Sequence, residues 1–336
     1  MGTSLFPCNA WFIQADTGAA FGKVSALPVL TLRFRIALAF LSIYTIWGST
    51  YLAIRFAIET FPPFLMAAIR FLIAGGVLYG WMRLRGASRP TRANWKAATI
   101  IGGFLLLGGN GGVTNAEQVI PSGLAAVLIT TVPIWMALAE LLRRDRIVPT
   151  LHVVLGLILG FGGVVLLVGG GDIAGSSGLN PLWAGVLILA SLSWAIGSVC
   201  SRKASLPTAP LLGSGMEMLA GGALLLVASF VSQEWVGFQP SNISLLSLVS
   251  FLYLIIFGSL IGFSSYVWLL TKTTTARVST YAYVNPVVAV LLGYFLAGEQ
   301  LTIRTLLASA VIVIAVVVIT TYKSRQTVPD NRESES

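Results

Sequence analysis

Ten apolar segments, separated by loops whose basic charge falls on one side only, leave this chain few folds to choose from. The segments run roughly 36–58, 64–84, 95–116, 119–142, 151–169, 181–203, 209–232, 245–271, 276–298 and 302–322. Each has the ~20 residues that a helix needs to cross a hydrocarbon core of ~30 Å. All Lys and Arg except Arg55, Arg70 and Arg304 fall before the first segment, after the tenth, or in alternate loops between. The opposite loops carry one acidic residue each: Glu59, Glu117, Asp172, Glu234 and Glu299. Basic loops stay in the cytoplasm, so both termini are expected there. The expected fold is an all-α integral membrane protein with ten transmembrane helices.

Composition excludes most other classes. The chain has 336 residues, 56% hydrophobic and only 10% charged, too poor in charge for a soluble domain of this size. A net charge of +9 could point to nucleic acid, but the one-sided loops account for it, and no soluble segment carries a basic stripe with interleaved aromatics. Cys8 and Cys200 form no CxxC pattern, and His152 is the sole histidine, so no zinc site and no cofactor is expected. GxSxG, HExxH and P-loop motifs are missing, so the chain reads as neither a hydrolase nor an ATP-driven pump.

The segments divide into five and five. Gly123 to Pro133 opens the fourth, Ala276 to Pro286 opens the ninth, and both place a proline ten residues after a small residue. Trp47-Gly48-Ser49 in the first is matched by Trp194 with Gly197-Ser198 in the sixth, and Gly75-Gly76 in the second by Gly221-Gly222 in the seventh. An odd number of crossings per half turns the second copy upside down. Inverted repeats of this kind build many secondary transporters, with the substrate site between them near the midplane. The expected layout is a tail over 1–35, repeats over 36–170 and 181–322, and a tail over 323–336, both tails disordered. The competing reading is a membrane scaffold or assembly protein that transports nothing.

Several blocks carry a family likeness. They are Ile46-Trp-Gly-Ser-Thr-Tyr-Leu-Ala-Ile-Arg55, Phe61-Pro-Pro-Phe64, Arg70-Phe-Leu-Ile-Ala-Gly75, Gly109-Asn-Gly-Gly-Val-Thr-Asn-Ala-Glu117, Val119-Ile-Pro-Ser-Gly-Leu-Ala-Ala126 and Tyr281-Ala-Tyr-Val-Asn-Pro-Val-Val-Ala289. Together they resemble the EamA-type members of the drug/metabolite transporter superfamily, in particular the YedA-like branch. The resemblance covers about residues 36–322. It implies ten helices, two EamA repeats and efflux of small metabolites or drugs across the plasma membrane.

Charge inside a span is costly, ~2.5–3.5 kcal/mol for an Arg at a helix centre, so such residues usually face protein or a water-filled cavity. Arg70 and Glu217 lie at comparable depths from opposite faces. One reading has Arg70 binding an anionic substrate group, with Glu217 on the same pathway. The other has Arg70 pairing with Glu117 or capping helix carbonyls. Proton coupling would need a titratable group, and Glu217 is the candidate; facilitated diffusion needs none. Polar and aromatic residues near the two prolines complete the expected lining: Trp47, Asn110, Asn115, Thr130, Trp194, Tyr281 and Asn285. Pro133 and Pro286 would kink their helices and free the carbonyls of Ile129 and Ala282, as a gate requires. Gly76-x-x-x-Gly80, Gly156-x-x-x-Gly160 and Gly258-x-x-x-Gly262 are expected to pack helices. The expected partners are a small molecule and the bilayer, with the chain a monomer or weak homodimer.

Overall fold

The computed structural model describes residues 31–120, 122–142, 149–168, 180–297 and 303–321. Every regular element among them is helical. Six helices are long and apolar enough to cross a membrane: α1 (Leu32–Ala57), α2 (Pro63–Leu84), α3 (Arg92–Ala116), α7 (Pro181–Ser201), α8 (Pro210–Val231) and α9 (Leu245–Lys272). The remaining predicted spans are occupied by α4 (Ser122–Ile129) with α5 (Val132–Leu141), α6 (Leu151–Val168), α10 (Thr275–Val278) with α11 (Tyr281–Ala297), and α12 (Ile303–Thr321). Most of the two expected tails lies outside the described residues, but α1 begins at Leu32, inside the stretch expected to be tail.

Local chemistry sets the helix starts. Pro63, Pro181 and Pro210 stand in the first turn of α2, α7 and α8, where a missing N–H costs nothing and φ is already helical. Thr91 opens α3 with a reciprocal cap: the Asn94 N–H donates to Thr91 Oγ1 and the Thr91 N–H to Asn94 Oδ1. Gly86, at φ +83°, follows the end of α2, in a conformation that suits glycine.

Two predicted spans are broken rather than continuous. The fourth stops at Ile129 and restarts at Val132, and the ninth breaks between Val278 and Tyr281. Hydroxyls occupy both breaks: Thr131 donates to the Leu128 carbonyl, Ser279 to Ala276 and Thr280 to Arg277. Such side chains compete with the helix for its own carbonyls. Pro133 therefore stands in the first turn of a new helix instead of kinking a continuous one, whereas Pro286 lies inside α11.

Helices of the two halves interlock. The most extensive contact is between α2 and α8; Leu72 meets Gly222 while Tyr79 meets Gly215, so the pair runs antiparallel. Backbones touch there: a Cβ on Gly75 would lie 2.8 Å from the Gly215 carbonyl oxygen, and one on Gly221 would lie 2.8 Å from that of Gly102 in α3. Small residues permit this approach. The helix α6 packs antiparallel on α12, with Gly156 against Ile319 and Gly163 against Ile312. Likewise α3 packs on α7, and α1 on α9. Exchanging the halves carries α1/α9 onto α7/α3, and α1/α11 onto α7 with α4 and α5, so the pairing itself repeats.

The glycine expectations divide. Gly156 and Gly160 lie against Ile319 and the Tyr283 ring. Gly76 and Gly80 pack on nothing, since a Cβ at either would meet no atom within 4 Å, and the close approach of α2 runs through Gly75 instead. Gly258 and Gly262 make room for the side chains of Arg70 and Trp47, not for a helix backbone.

Outside, the molecule is greasy. Leu52, Ile73, Val77, Ile158, Leu189, Val227, Phe230, Leu252 and Val313 are exposed, while Arg70, Thr114, Glu217, Ser198 and Asn285 are buried. An apolar surface around a polar interior suits lipid as the solvent.

Candidate functional site

Two helices depart from α-geometry at the same place in each half. Residues Gly103–Gly111 of α3 and Leu254–Phe263 of α9 are wound as π-helix. This winding is rare and concentrates at functional sites. Each stretch takes a hydrogen bond from the first helix of the other half: Ser193 Oγ of α7 donates to the Phe104 carbonyl at 2.8 Å, and Trp47 Nε1 of α1 to the Gly258 carbonyl at 3.2 Å.

Between them lies a cavity with about 80 Å³ open to the centres of water molecules. Eight of the described helices, from both halves, contribute to its wall. Arg70 and Phe71 come from α2, Gly109 and Asn110 from the first π stretch, and Gly258 and Phe263 from the second. Aromatic rings dominate the wall. Trp47 contacts Trp194 and Tyr281 edge to face, with centroids 5.6 and 4.9 Å apart. Tyr266 supports this group from behind, 5.0 Å from Trp47 and 5.3 Å from Trp194.

Several polar atoms of the wall are already occupied. Trp194 Nε1 donates to the Tyr266 hydroxyl at 2.9 Å, and Thr50 Oγ1 to the Trp47 carbonyl. Ser191 Oγ donates to the Leu187 carbonyl at 2.9 Å. Among the fully buried side-chain atoms of the described wall residues, two have no hydrogen-bond partner: Arg70 Nη1 and Asn285 Oδ1. Arg70 is 3% exposed; its Nε donates to Ser259 Oγ at 2.7 Å and its guanidinium lies 4.6 Å from the Phe71 ring centroid. Among the described residues Arg70 is hydrogen-bonded to a hydroxyl, with no bond to Glu117 or to a helix carbonyl. Both carboxylate oxygens of Glu117 are buried without a hydrogen-bond partner among the described residues.

Six of the nine residues expected on the pathway meet in this cavity: Trp47, Arg70, Asn110, Trp194, Tyr281 and Asn285. Three do not. Asn115 binds Gln118 at the end of α3, its Oδ1 accepting from Gln118 Nε2 at 3.0 Å. Thr130 is buried in the α4–α5 break, while Ile129 and Val132 on either side reach the wall. Glu217, fully buried, accepts from Ser201 Oγ at 3.4 Å. A chain of hydroxyls nevertheless runs from the wall toward it: Trp194 bonds Tyr266, Tyr266 bonds Ser198, and Ser201 follows on the same face of α7. Sequence reading passed over Thr50, Tyr51, Ser191, Phe71 and Phe263, although Thr50 and Tyr51 stand one turn from Trp47.

Residues 21–169 and 181–321 each match the EamA-like transporter family. The chain belongs to that family. The EamA-like chain is 41% identical over 294 residues to the uncharacterized inner membrane transporter YedA of Escherichia coli (strain K12), covering 86% of this chain and 93% of that one. It is 28% identical over 291 residues to the uncharacterized transporter sll0355 of Synechocystis sp. (80% and 84% covered). A solved crystal structure superposes on this EamA-like fold with a TM-score of 0.68 at 23% identity, covering 85% of this chain and 96% of that chain. The EamA-like chain is thus a multi-pass membrane transporter, close to YedA.

Proposed function

We propose that this chain is a secondary transporter that exports small metabolites or drug-like compounds across the bacterial inner membrane by alternating access. The carrying observation is the aromatic-walled cavity, built from both halves and holding two unpartnered polar atoms. A closed wall of rings with a few placed polar groups is what a small-molecule site needs. The reading includes ten crossings in two inverted repeats with both termini in the cytoplasm; the antiparallel pairing of described helices from the two halves supports the inversion. The close packing of α2 and α3 on α8 argues against two sequence halves that separate as rigid blocks. In this reading α2, α3 and α8 move together, and the elements around the π stretches open and close the site.

Proton antiport would run through Glu217 and the hydroxyls leading to it, while facilitated diffusion would leave Glu217 a packing residue. Comparing metabolites in the medium of overexpressing and deletion cells should reveal the exported compound. Its uptake into everted vesicles, with and without a proton gradient, then settles direction and coupling. Arg70→Gln and Asn285→Ala should abolish that uptake at unchanged expression. Unchanged uptake in both would sink the site assignment and leave the scaffold reading standing.

A further inference from the structure

Arg70 sets the charge class of the ligand. Among the described residues it is the only charged one on the cavity wall, and no Asp or Glu lines the cavity with it. Its neighbours supply a hydroxyl and a ring face, neither of which carries a negative charge. A buried cation without a counter-ion is strongly destabilised, because desolvation is not offset by an opposite charge. The structure holds that cation firmly in place all the same. Its Nε is tied to Ser259 in the second π stretch, and the glycine at 258 leaves room for its Nη2, since a Cβ there would come within 2.9 Å. Nη1 is buried without a hydrogen-bond partner among the described residues, and the guanidinium belongs to a residue that lines the cavity.

We propose that the cavity takes an organic carboxylate with a flat, unsaturated body and rejects organic cations. The carboxylate accepts from the Arg70 guanidinium and neutralises it in a setting where Coulomb attraction is weakly screened. The flat body lies among Trp47, Trp194, Tyr281 and Phe263, whose faces and edges suit another ring. An organic cation meets like charge at the same low dielectric. This assignment rests on the transport reading for its physiological meaning, but the binding it describes can be measured separately.

The test uses the full chain in uncharged phosphatidylcholine nanodiscs with three probes of one shape: benzoate, benzamide and benzyltrimethylammonium. Binding is read by calorimetry and by the shift in melting temperature. Benzoate should bind at least about tenfold more tightly than benzamide, a ratio typical of a charge-assisted hydrogen bond gained at constant shape. Benzyltrimethylammonium should not bind. Arg70→Gln should bring benzoate down to the benzamide level while leaving benzamide binding intact. The comparison of benzoate with benzamide needs no variant, so it stands even where Arg70→Gln fails to fold. Equal binding of benzoate and benzamide, binding of the cation, or displacement of benzoate by chloride alone would overturn the proposal. Counterflow of labelled benzoate in proteoliposomes separates the two readings: binding without flux refutes transport, and flux of the cation refutes the charge assignment.

Discussion

Gly258 is a single residue on which three functions converge. Its carbonyl receives Trp47 Nε1, its missing side chain admits Arg70 Nη2, and Thr50 Cγ2 would stand 3.4 Å from any Cβ placed there. Gly258→Ala should therefore displace Arg70 and lower vesicle uptake about tenfold, since small misplacements at a site are costly, while expression stays normal. Two other glycines give the contrast. Gly160→Ala would push into the Tyr283 ring at 2.8 Å and should destabilise the detergent-solubilised protein by about 1–3 kcal/mol, the usual range for overpacking. Gly76→Ala, facing open space, should leave the melting temperature unchanged; a large drop would mean that this face is covered. Spacing alone made these glycines look alike, because Gly-x-x-x-Gly records a helix face but not what lies against it. The same limit applies to Glu217: its depth in the span was legible, but its direction around the helix was not, and it turned toward Ser201 instead of the cavity.

At the scale of elements, the π stretches were not legible from hydropathy, since apolar residues continue through them without a change of composition. The glycine clusters at 102–103 and 108–109 were the available signal. The wider winding alters the helix's own bonding pattern, and two of these carbonyls are bonded from the opposite half. Ser193→Ala should remove the side-chain donor from the Phe104 carbonyl, which keeps its backbone partner, costing about 0.5–1.5 kcal/mol, read as a lower melting temperature. Trp47→Phe keeps a ring but removes the matching bond and should have a comparable effect. Long spans were read accurately where proline or charge bounds them, as at Pro63, Pro181 and Pro210. The broken fourth and ninth spans were missed because hydrophobicity runs straight across Thr130-Thr131 and Ser279-Thr280, where hydroxyls take over the backbone's bonding. Another element-level device closes the α2–α8 pair. Both carboxylate oxygens of Glu234 accept from the first turn of α2, at Phe64 N–H (3.0 Å) and Leu65 N–H (2.8 Å). Glu234→Ala should cost about 0.5–2 kcal/mol, as loss of a helix cap does.

For the molecule as a whole, charge and pairing make separate predictions. The one-sided basic loops require a C-terminal green fluorescent protein fusion to fluoresce and a C-terminal alkaline phosphatase fusion to be inactive. The reverse outcome would refute the orientation. Pairing makes α8 the centre of the fold, with every residue of Leu212–Met218 buried. Its amides should be the slowest to exchange with deuterium in nanodiscs, and α1, exposed along one face, should exchange sooner. The presence of two family repeats was legible from the sequence because the loop charges and the proline positions repeat. The interlocking was not, because a repeat in sequence says nothing about which copy a helix will touch.

That interlocking also governs how the protein is made. Gly75 finds its partner Gly215 only after about 140 more residues have been synthesised, which at ~5–20 residues per second takes roughly ten seconds or longer. During that interval α2 and α3 have entered the membrane with their glycine faces against lipid. A nascent chain stopped at Val168 should therefore be inserted yet lack a core, and be degraded when expressed alone. Supplying residues 169–336 from a second gene should rescue it, because the missing half of every major contact would arrive with that fragment.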